Sequence, residues 1–365
     1  HTDNAQGPHM SLIRAFPGLR PDSAHAAAVA APPYDVLTEA EARRMVEGRP
    51  WSFLHISRPE VDLPPGSDPY SAAAYAMAVR NLAAMRSTGV LRQDTGDGLY
   101  AYRLTRAGHV QLGLMATASV AAYDQGRIKK HELTRPVKED DRVRQIEALQ
   151  AQTGPVFLAY PADLLVDGLL AKVAEAPADI NVTLDAVRHE LWVVADPEHQ
   201  RALTGAFDAM PALYVADGPH RAAAASRVAA ARRANAADGL TDLPSDYFLA
   251  ALFPHDQVQI LDYNRVVRDL NGLSGEDFLR RIAEYFEVTL SPTPVRPELV
   301  REFGMYMAGQ WYRLRLDSVR VPLGDPVASL DVSLLLDLLL SPLLGIGDPR
   351  HDQRIDFVGG ARGLQ

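Results

Sequence analysis

Ala212-Leu213-Tyr214-Val215-Ala216-Asp217-Gly218-Pro219-His220-Arg221 is the stretch on which the reading of the fold turns. The apolar run Ala212 to Ala216 has strand character, and the Ala-rich segment Pro219 to Ala236 has helix character. Between them Gly218 lets the backbone turn tightly. Pro219 suits the first helical position, where a missing N–H costs nothing. A helix start of this kind offers N–H groups and the positive end of the helix dipole to an anion. His220 and Arg221 add side-chain donors, and an arginine fork holds a phosphate through two hydrogen bonds. The small residues Ala222 to Ala225 let the helix lie close to a sheet. The same letters also spell an ordinary Asp-capped helix with solvated His220 and Arg221, so both readings stand at this point.

Outward from this stretch, apolar residues alternate at Leu99 to Thr105 and Val110 to Ala122, with a turn at Arg106-Ala107-Gly108. Further strands are expected at Gly154 to Tyr160, Glu190 to Ala195, Tyr247 to Phe253 and Gln257 to Tyr263. A last hairpin pairs Gly304–Met307 with Trp311–Leu316 across Ala308-Gly309. Helical spacing marks Tyr70 to Gly89, Val137 to Gln152, Pro197 to Ala209, Gly275 to Phe286 and Val332 to Leu344. Thr38 and Glu41 have the spacing of a capping box. Hairpins and helices are mixed without strict alternation, so the expected class is α/β of the mixed α+β kind rather than a doubly wound sheet. The first ten residues read as a tag remnant ending at a protease scar and Met10. Residues 11–365 are expected to form a single large α/β domain, with seams near 235–246 and 291–297.

The net charge of −9 repels nucleic acid in bulk, although a local basic patch can still hold a small anion. The absence of cysteine removes disulfides, thiolate nucleophiles and Cys-bound metals together. No uncharged apolar run reaches the roughly 18 residues of a spanning helix. These features lead us to expect a cytoplasmic protein with no membrane partner. The Gly-Lys-Ser/Thr phosphate loop, Gly-x-Gly-x-x-Gly, His-Glu-x-x-His and Gly-x-Ser-x-Gly are all missing.

A second concentration of chemistry is the charged segment Lys129 to Arg144. Its first half offers a general base in Glu132 or His131 and phosphate clamps in Lys130 and Arg135. Pro136 should open a helix on which Glu139, Asp140 or Asp141 is placed to hold Mg²⁺. A solvated helix face, with Glu139 paired to Arg142, is the plain alternative. Asp35 in a rigid Pro-rich loop, Arg142, and the strand-end residues Asn264 and Arg265 are further candidates for touching a substrate. His55 reads as structural.

Several motifs together resemble a known family. They are Ala31-Pro32-Pro33-Tyr34-Asp35-Val36, Ile128-Lys129-Lys130-His131-Glu132, Lys138-Glu139-Asp140-Asp141-Arg142, Thr153-Gly154-Pro155-Val156-Phe157, Asp217-Gly218-x-His220-Arg221, Tyr263-Asn264-Arg265-Val266-Val267 and Arg354-Ile355-Asp356-Phe357-Val358-Gly359-Gly360. They occur in the order seen in the bacterial domain-of-unknown-function family DUF1015. The Asp-Gly-x-His-Arg turn is in addition similar to the phosphate-binding motif of the ParB/sulfiredoxin-like superfamily, which includes the archaeal free serine kinase. That resemblance implies a ParB/sulfiredoxin-like core with N- and C-terminal elaborations. It implies a kinase-type transferase moving a phosphoryl group from ATP or ADP, with Mg²⁺, to L-serine or a similar small hydroxyl metabolite.

In that scheme Gly218, His220, Arg221, Lys130 and Arg135 hold the nucleotide phosphates. Asp217 orients the turn, His131 and His220 assist the chemistry, and Glu132 is the base, with Asp35 second. Two departures bear on it. The resemblance leads us to expect a His in most relatives where Pro219 stands, and a further segment in them beyond the Gly359-Gly360 region. A phosphatase or nucleotide hydrolase using the same anion site, and a non-catalytic nucleotide or phosphometabolite sensor, are the alternatives.

Overall fold

The computed structural model describes residues 11–131, 134, 136–236, 242–349 and 352–359. It contains two compact units, divided between Val258 and Gln259. The two expected seams lie one inside each unit.

The first unit is built on a mixed sheet of nine strands: β1 (Ile13–Arg14), β2 (Leu99–Arg106), β3 (His109–Ser119), β4 (Ile128–Lys129), β5 (Val156–Tyr160), β6 (Ile180–Leu184), β7 (Val187–Val194), β8 (Leu213–Asp217) and β9 (Tyr247–Pro254). Their order is β4-β8-β5-β9-β3-β2-β7-β6, with β1 beside β3. The principal helices are α1 (Glu39–Val46), α2 (Ala72–Ser87), α3 (Pro136–Leu149), α4 (Leu164–Val173), α5 (Pro197–Ala209) and α6 (Pro219–Ala234). The mixed α/β class is therefore as expected.

Alternation decides which face of the sheet is packed. Leu114, Ala116 and Ala118 of β3, Val156, Leu158 and Tyr160 of β5, Leu213 and Val215 of β8, and Phe248, Ala250 and Leu252 of β9 fall on one side. They share one core with Val166 and Leu170 of α4, Leu203 and Phe207 of α5, and Ala222, Ala225 and Ala229 of α6. The alanines of α6 keep that helix close to the sheet. Leu158 is fully buried there, and its truncation to Ala should cost about 2–5 kcal/mol.

Strand direction then positions the site. β8 runs parallel to β4, with Leu213 opposite Ile128 and Tyr214 opposite Lys129. Parallel strands finish at the same edge, so the chain leaving β4 at Lys130 emerges beside the end of β8. β5 runs antiparallel to β8, with Phe157 opposite Asp217, so Thr153-Gly154-Pro155 opens β5 at that same edge. Both of these adjacencies are long-range in sequence.

Local signals predicted local structure well. Thr38 and Glu41 form the reciprocal capping box, and α5 occupies Pro197–Ala209 as predicted. Elsewhere the structure corrects the expectation. The second strand of the first hairpin stops at Ser119 instead of reaching Ala122. Ser119 Oγ accepts from Ala122 N at 3.1 Å and starts the short helix Val120–Asp124. No strand forms over Gln257–Asp262, where Ile260 is wholly exposed. The strand there is Tyr263–Val267, because Ile355–Gly359 supplies its partner. The β6–β7 hairpin was not foreseen, since its turn uses Asp185 and Ala186 at φ 49° and 62° in place of glycine.

The second unit pairs Tyr263–Val267 with Ile355–Gly359 and has a three-stranded antiparallel sheet. That sheet runs in the order Phe286–Ser291, Gln310–Leu316, Glu302–Met307. Phe278, Ile282, Leu314, Leu316, Leu339 and Ile346 form its core. The segment expected as one helix over Val332–Leu344 is a short α-helix, Asp331–Leu335, followed by a π-helical stretch, Leu336–Leu340. Among the described residues no helix is long and apolar enough to cross a membrane.

Candidate functional site

β8 ends at Asp217, and Gly218 takes the left-handed conformation, φ 85° and ψ 37°, before Pro219 opens α6. Gly218 is the N-cap and no side chain caps the helix. The ordinary Asp-cap reading is thereby set aside. The Asp217 carboxylate accepts from Arg221 Nη2 at 2.6 Å. The N–H groups of Arg221 and Ala222 both return to the Gly218 carbonyl, at 3.0 and 3.1 Å. With Pro219 donating nothing, side chains matter more at this helix start than the sequence alone suggested.

Arg221 is the centre of the arrangement. Its side chain is only 14% exposed, its Nη1 donates to the Pro155 carbonyl, and its Nη2 donates to Asp217. A Cβ on Gly218 would come within 2.9 Å of the guanidinium carbon, and a Cβ on Gly154 within 3.3 Å of Arg221 Cδ. Both glycines therefore leave the room in which the guanidinium lies. Among the described residues two of its five N–H groups are engaged, so the fork is held in orientation with donors to spare.

The ring of contacts widens through the Thr153-Gly154-Pro155 loop. Thr153 Oγ1 lies 3.5 Å from Gln145 Oε1, a long contact. Arg142 also donates to Gln145 Oε1, and its Nε donates to Asp141 at 2.8 Å. The Arg142 guanidinium lies 4.1 Å over the Tyr34 ring. Tyr75 OH donates to Asp141 at 2.7 Å, so this buried carboxylate has two partners. Burial holds the Tyr34 phenol above the usual range; Arg142 and Arg221 pull the other way, and Asp35 and Asp141 push it further up. A phenol kept neutral in this way is a hydrogen-bond donor.

Tyr34 begins the one-turn 3₁₀ segment Tyr34–Val36. Arg58 Nη1 takes the carbonyls of Tyr34 and Leu37, at 2.9 and 2.7 Å, while its Nε donates to the buried Glu60 at 2.5 Å. Asp35 is exposed, and among the described residues its carboxylate has no hydrogen-bond or ion-pair partner.

The remaining candidates fall into place around this core. Lys130 is exposed, with Nζ 3.8 Å over the ring of Tyr123, whose hydroxyl is pushed up to about 12, mainly by burial. His131 is exposed where the chain leaves β4, and His220 sits in the first turn of α6. Glu139 and Asp140, proposed as metal ligands, are both taken by Arg227, at 2.9 and 2.8 Å. Thr134 also donates to Glu139, at 2.7 Å. Among the described residues no group of three His, Asp or Glu side chains is disposed to hold a metal. Glu132 and Arg135 lie outside the described residues. Asn264 and Arg265 belong to the second unit. There the rings of Tyr263 and Phe357 stack on each other, the Arg265 guanidinium lies 5.5 and 5.4 Å from their centres, and burial lowers its pKa. His55 is structural, its Nδ1 2.9 Å from Asp62.

Tyr34, Arg58, Tyr75, Gln145 and Thr153 received no role from sequence, although Tyr34 and Thr153 fall inside the quoted motifs. The sign of Tyr34 and Thr153 was the company of proline and glycine in two separate loops, whereas Tyr75 and Gln145 lie inside helices. A shallow pocket lined by Ala15, Pro197, Gln200, Arg201, Thr204, Gly205 and Asp208 shares no residue with this cluster.

No curated protein and no solved structure matches the chain. A family match does extend from residue 13 to residue 333, across the Tyr34, Asp141, Thr153 and Asp217 segments that the fold brings together. That family is described as "Protein of unknown function (DUF1015)", and the chain belongs to it.

Proposed function

We propose that the protein is a nucleotide-dependent phosphotransferase, with the Asp217–Arg221 turn holding the donor phosphates. The observation that carries this reading is the state of Arg221. Its fork is pinned by Pro155 and Asp217 between two glycines, at a helix start with no side-chain cap. Such a group offers fixed positive charge and unspent donors where phosphate charge develops, and phosphoryl transfer depends mainly on positioning and electrostatics.

ATP or ADP is the donor, and L-serine or a similar small hydroxyl metabolite is the acceptor. Lys130 supplies further positive charge, and His220 a further ring N–H. The acceptor proton goes to a carboxylate, Glu132 first and Asp35 second. The mixed sheet with a strand–Gly–helix turn at its edge also supports a ParB/sulfiredoxin-like core. Magnesium, expected at Glu139 and Asp140, does not fit those carboxylates because Arg227 occupies an oxygen of each, and no step is assigned to it.

The test is phosphorus NMR of the full chain with ATP or ADP, Mg²⁺ and a pool of hydroxyl metabolites that includes L-serine. A new phosphomonoester signal, lost in Arg221→Ala and reduced in Arg221→Lys, is the expected result. Inorganic phosphate alone would instead identify a hydrolase. Binding without turnover would identify a sensor.

A further inference from the structure

We propose that Arg58, clamped by the buried Glu60, is a positioning residue that fixes the Tyr34–Leu37 turn beside the Arg221 turn, and that Asp35 thereby stands next to the bound phosphate on the acceptor side. This rests on the phosphate reading of the Asp217–Arg221 turn.

A single 3₁₀ turn of three residues has little stability of its own. Its geometry comes from outside, through the Tyr34 and Leu37 carbonyls held by one Arg58 nitrogen. Arg58 is itself fixed, since Glu60 is 2% exposed and a buried carboxylate needs its cation. The Glu60 carbonyl is in turn held by Arg43 Nη2 at 2.7 Å. The Tyr34 ring lies on Arg142, which shares Gln145 with the Thr153-Gly154-Pro155 loop, whose Pro155 carbonyl accepts from Arg221. A continuous set of contacts therefore links Arg58 to Arg221.

Within this set the charges are matched except one. Arg58 has Glu60, Arg142 has Asp141 and Arg221 has Asp217. Asp35 has no partner among the described residues, although the carbonyls of Tyr34 and Leu37 on either side of it are both held by Arg58. An unmatched carboxylate on a rigid loop beside an anion site has no packing role to explain it. It suits the part of a ligand that donates hydrogen bonds, such as a hydroxyl.

The charge makes the idea testable without turnover. Inorganic pyrophosphate is titrated calorimetrically into the full chain in the absence of divalent metal, using wild type, Asp35→Asn, Arg58→Lys, Arg58→Ala, the double variant Asp35→Asn/Arg58→Lys and Arg221→Ala. A carboxylate held near the phosphate repels it, so Asp35→Asn should tighten binding by about threefold to tenfold. Once Arg58 no longer holds the turn, that gain should shrink below about twofold, a coupling that simple loss of stability would not produce. Loss of binding in Arg221→Ala, with Asp35→Asn equal to wild type or with the gain undiminished in the double variant, overturns this inference alone. Wild type that ignores pyrophosphate, or Arg221→Ala that binds it as tightly as wild type, overturns the phosphate reading and this inference with it.

Discussion

Replacing Gly218 by Ala separates two effects that the structure places on one atom. Gly218 has φ 85°, so any Cβ there brings the left-handed penalty of about 1–2 kcal/mol. The same Cβ would stand 2.9 Å from the Arg221 guanidinium carbon and displace it. Displacement breaks the contacts to Pro155 and Asp217, worth about 1–2 kcal/mol together after solvent compensation. Gly48 is the internal control: its φ is 68°, and a Cβ there meets nothing within 4 Å. Gly48→Ala should therefore lose about 1–2 kcal/mol and Gly218→Ala about 2–4 kcal/mol. For a unit of this size each kcal/mol lowers the midpoint by about 2–4 °C. Thermal unfolding of both variants, followed with and without pyrophosphate, measures the difference. Equal losses, with ligand stabilisation intact in Gly218→Ala, would refute the claim that this glycine makes room for a functional arginine.

Four further outcomes follow from the same contacts. Arg142→Ala leaves the buried Asp141 with Tyr75 alone and should destabilise the first unit by about 3 kcal/mol, measured by urea unfolding. Thr38→Ala removes the acceptor of the capping box and should cost about 1 kcal/mol by the same method. Arg227→Ala should cost under about 1 kcal/mol, since Arg227 is half-exposed, and calorimetric Mg²⁺ titration should then detect the freed Glu139–Asp140 pair. Asp167 is held above the usual carboxylate range, first by burial and then by Asp256 and Asp163. A raised carboxyl binds its proton more tightly when folded, so it costs stability as pH rises from the unfolded value through the folded one. Asp167→Asn should therefore raise the midpoint at pH 7, and the gain should fade as pH falls through the raised folded value and be gone by about pH 4.

What was legible in the sequence was chiefly local. The strand–Gly–Pro–helix junction at Asp217–Arg221 and the Thr38–Glu41 box are each specified by residues within a few positions of one another. The α5 boundary was visible because Asp196 and Pro197 are a cap and a first-turn proline. The β6–β7 turn was not visible, because Asp185 and Ala186 adopt a conformation that nothing in their identity demands. The strand at Tyr263–Val267 was misplaced because its partner lies nearly a hundred residues further along the chain.

The site divides in the same way. Arg221 stood out from its own neighbours in sequence, but its anchor on Pro155 is 66 residues away and was not foreseen. Arg58 and Glu60 received no role from sequence, because the burial that makes them a pair is set by the fold. Glu139 and Asp140 read as metal ligands because the cation that bridges them, Arg227, lies on a different helix.

The most direct measurement of the central claim is isothermal calorimetry of ADP against wild type, Arg221→Ala and Arg221→Lys, each checked for folding by its thermal midpoint. The account predicts saturable binding to wild type, weakened at least tenfold in Arg221→Lys and lost in Arg221→Ala, with the variants still folded. ADP binding of equal strength in all three, or in none, would contradict it.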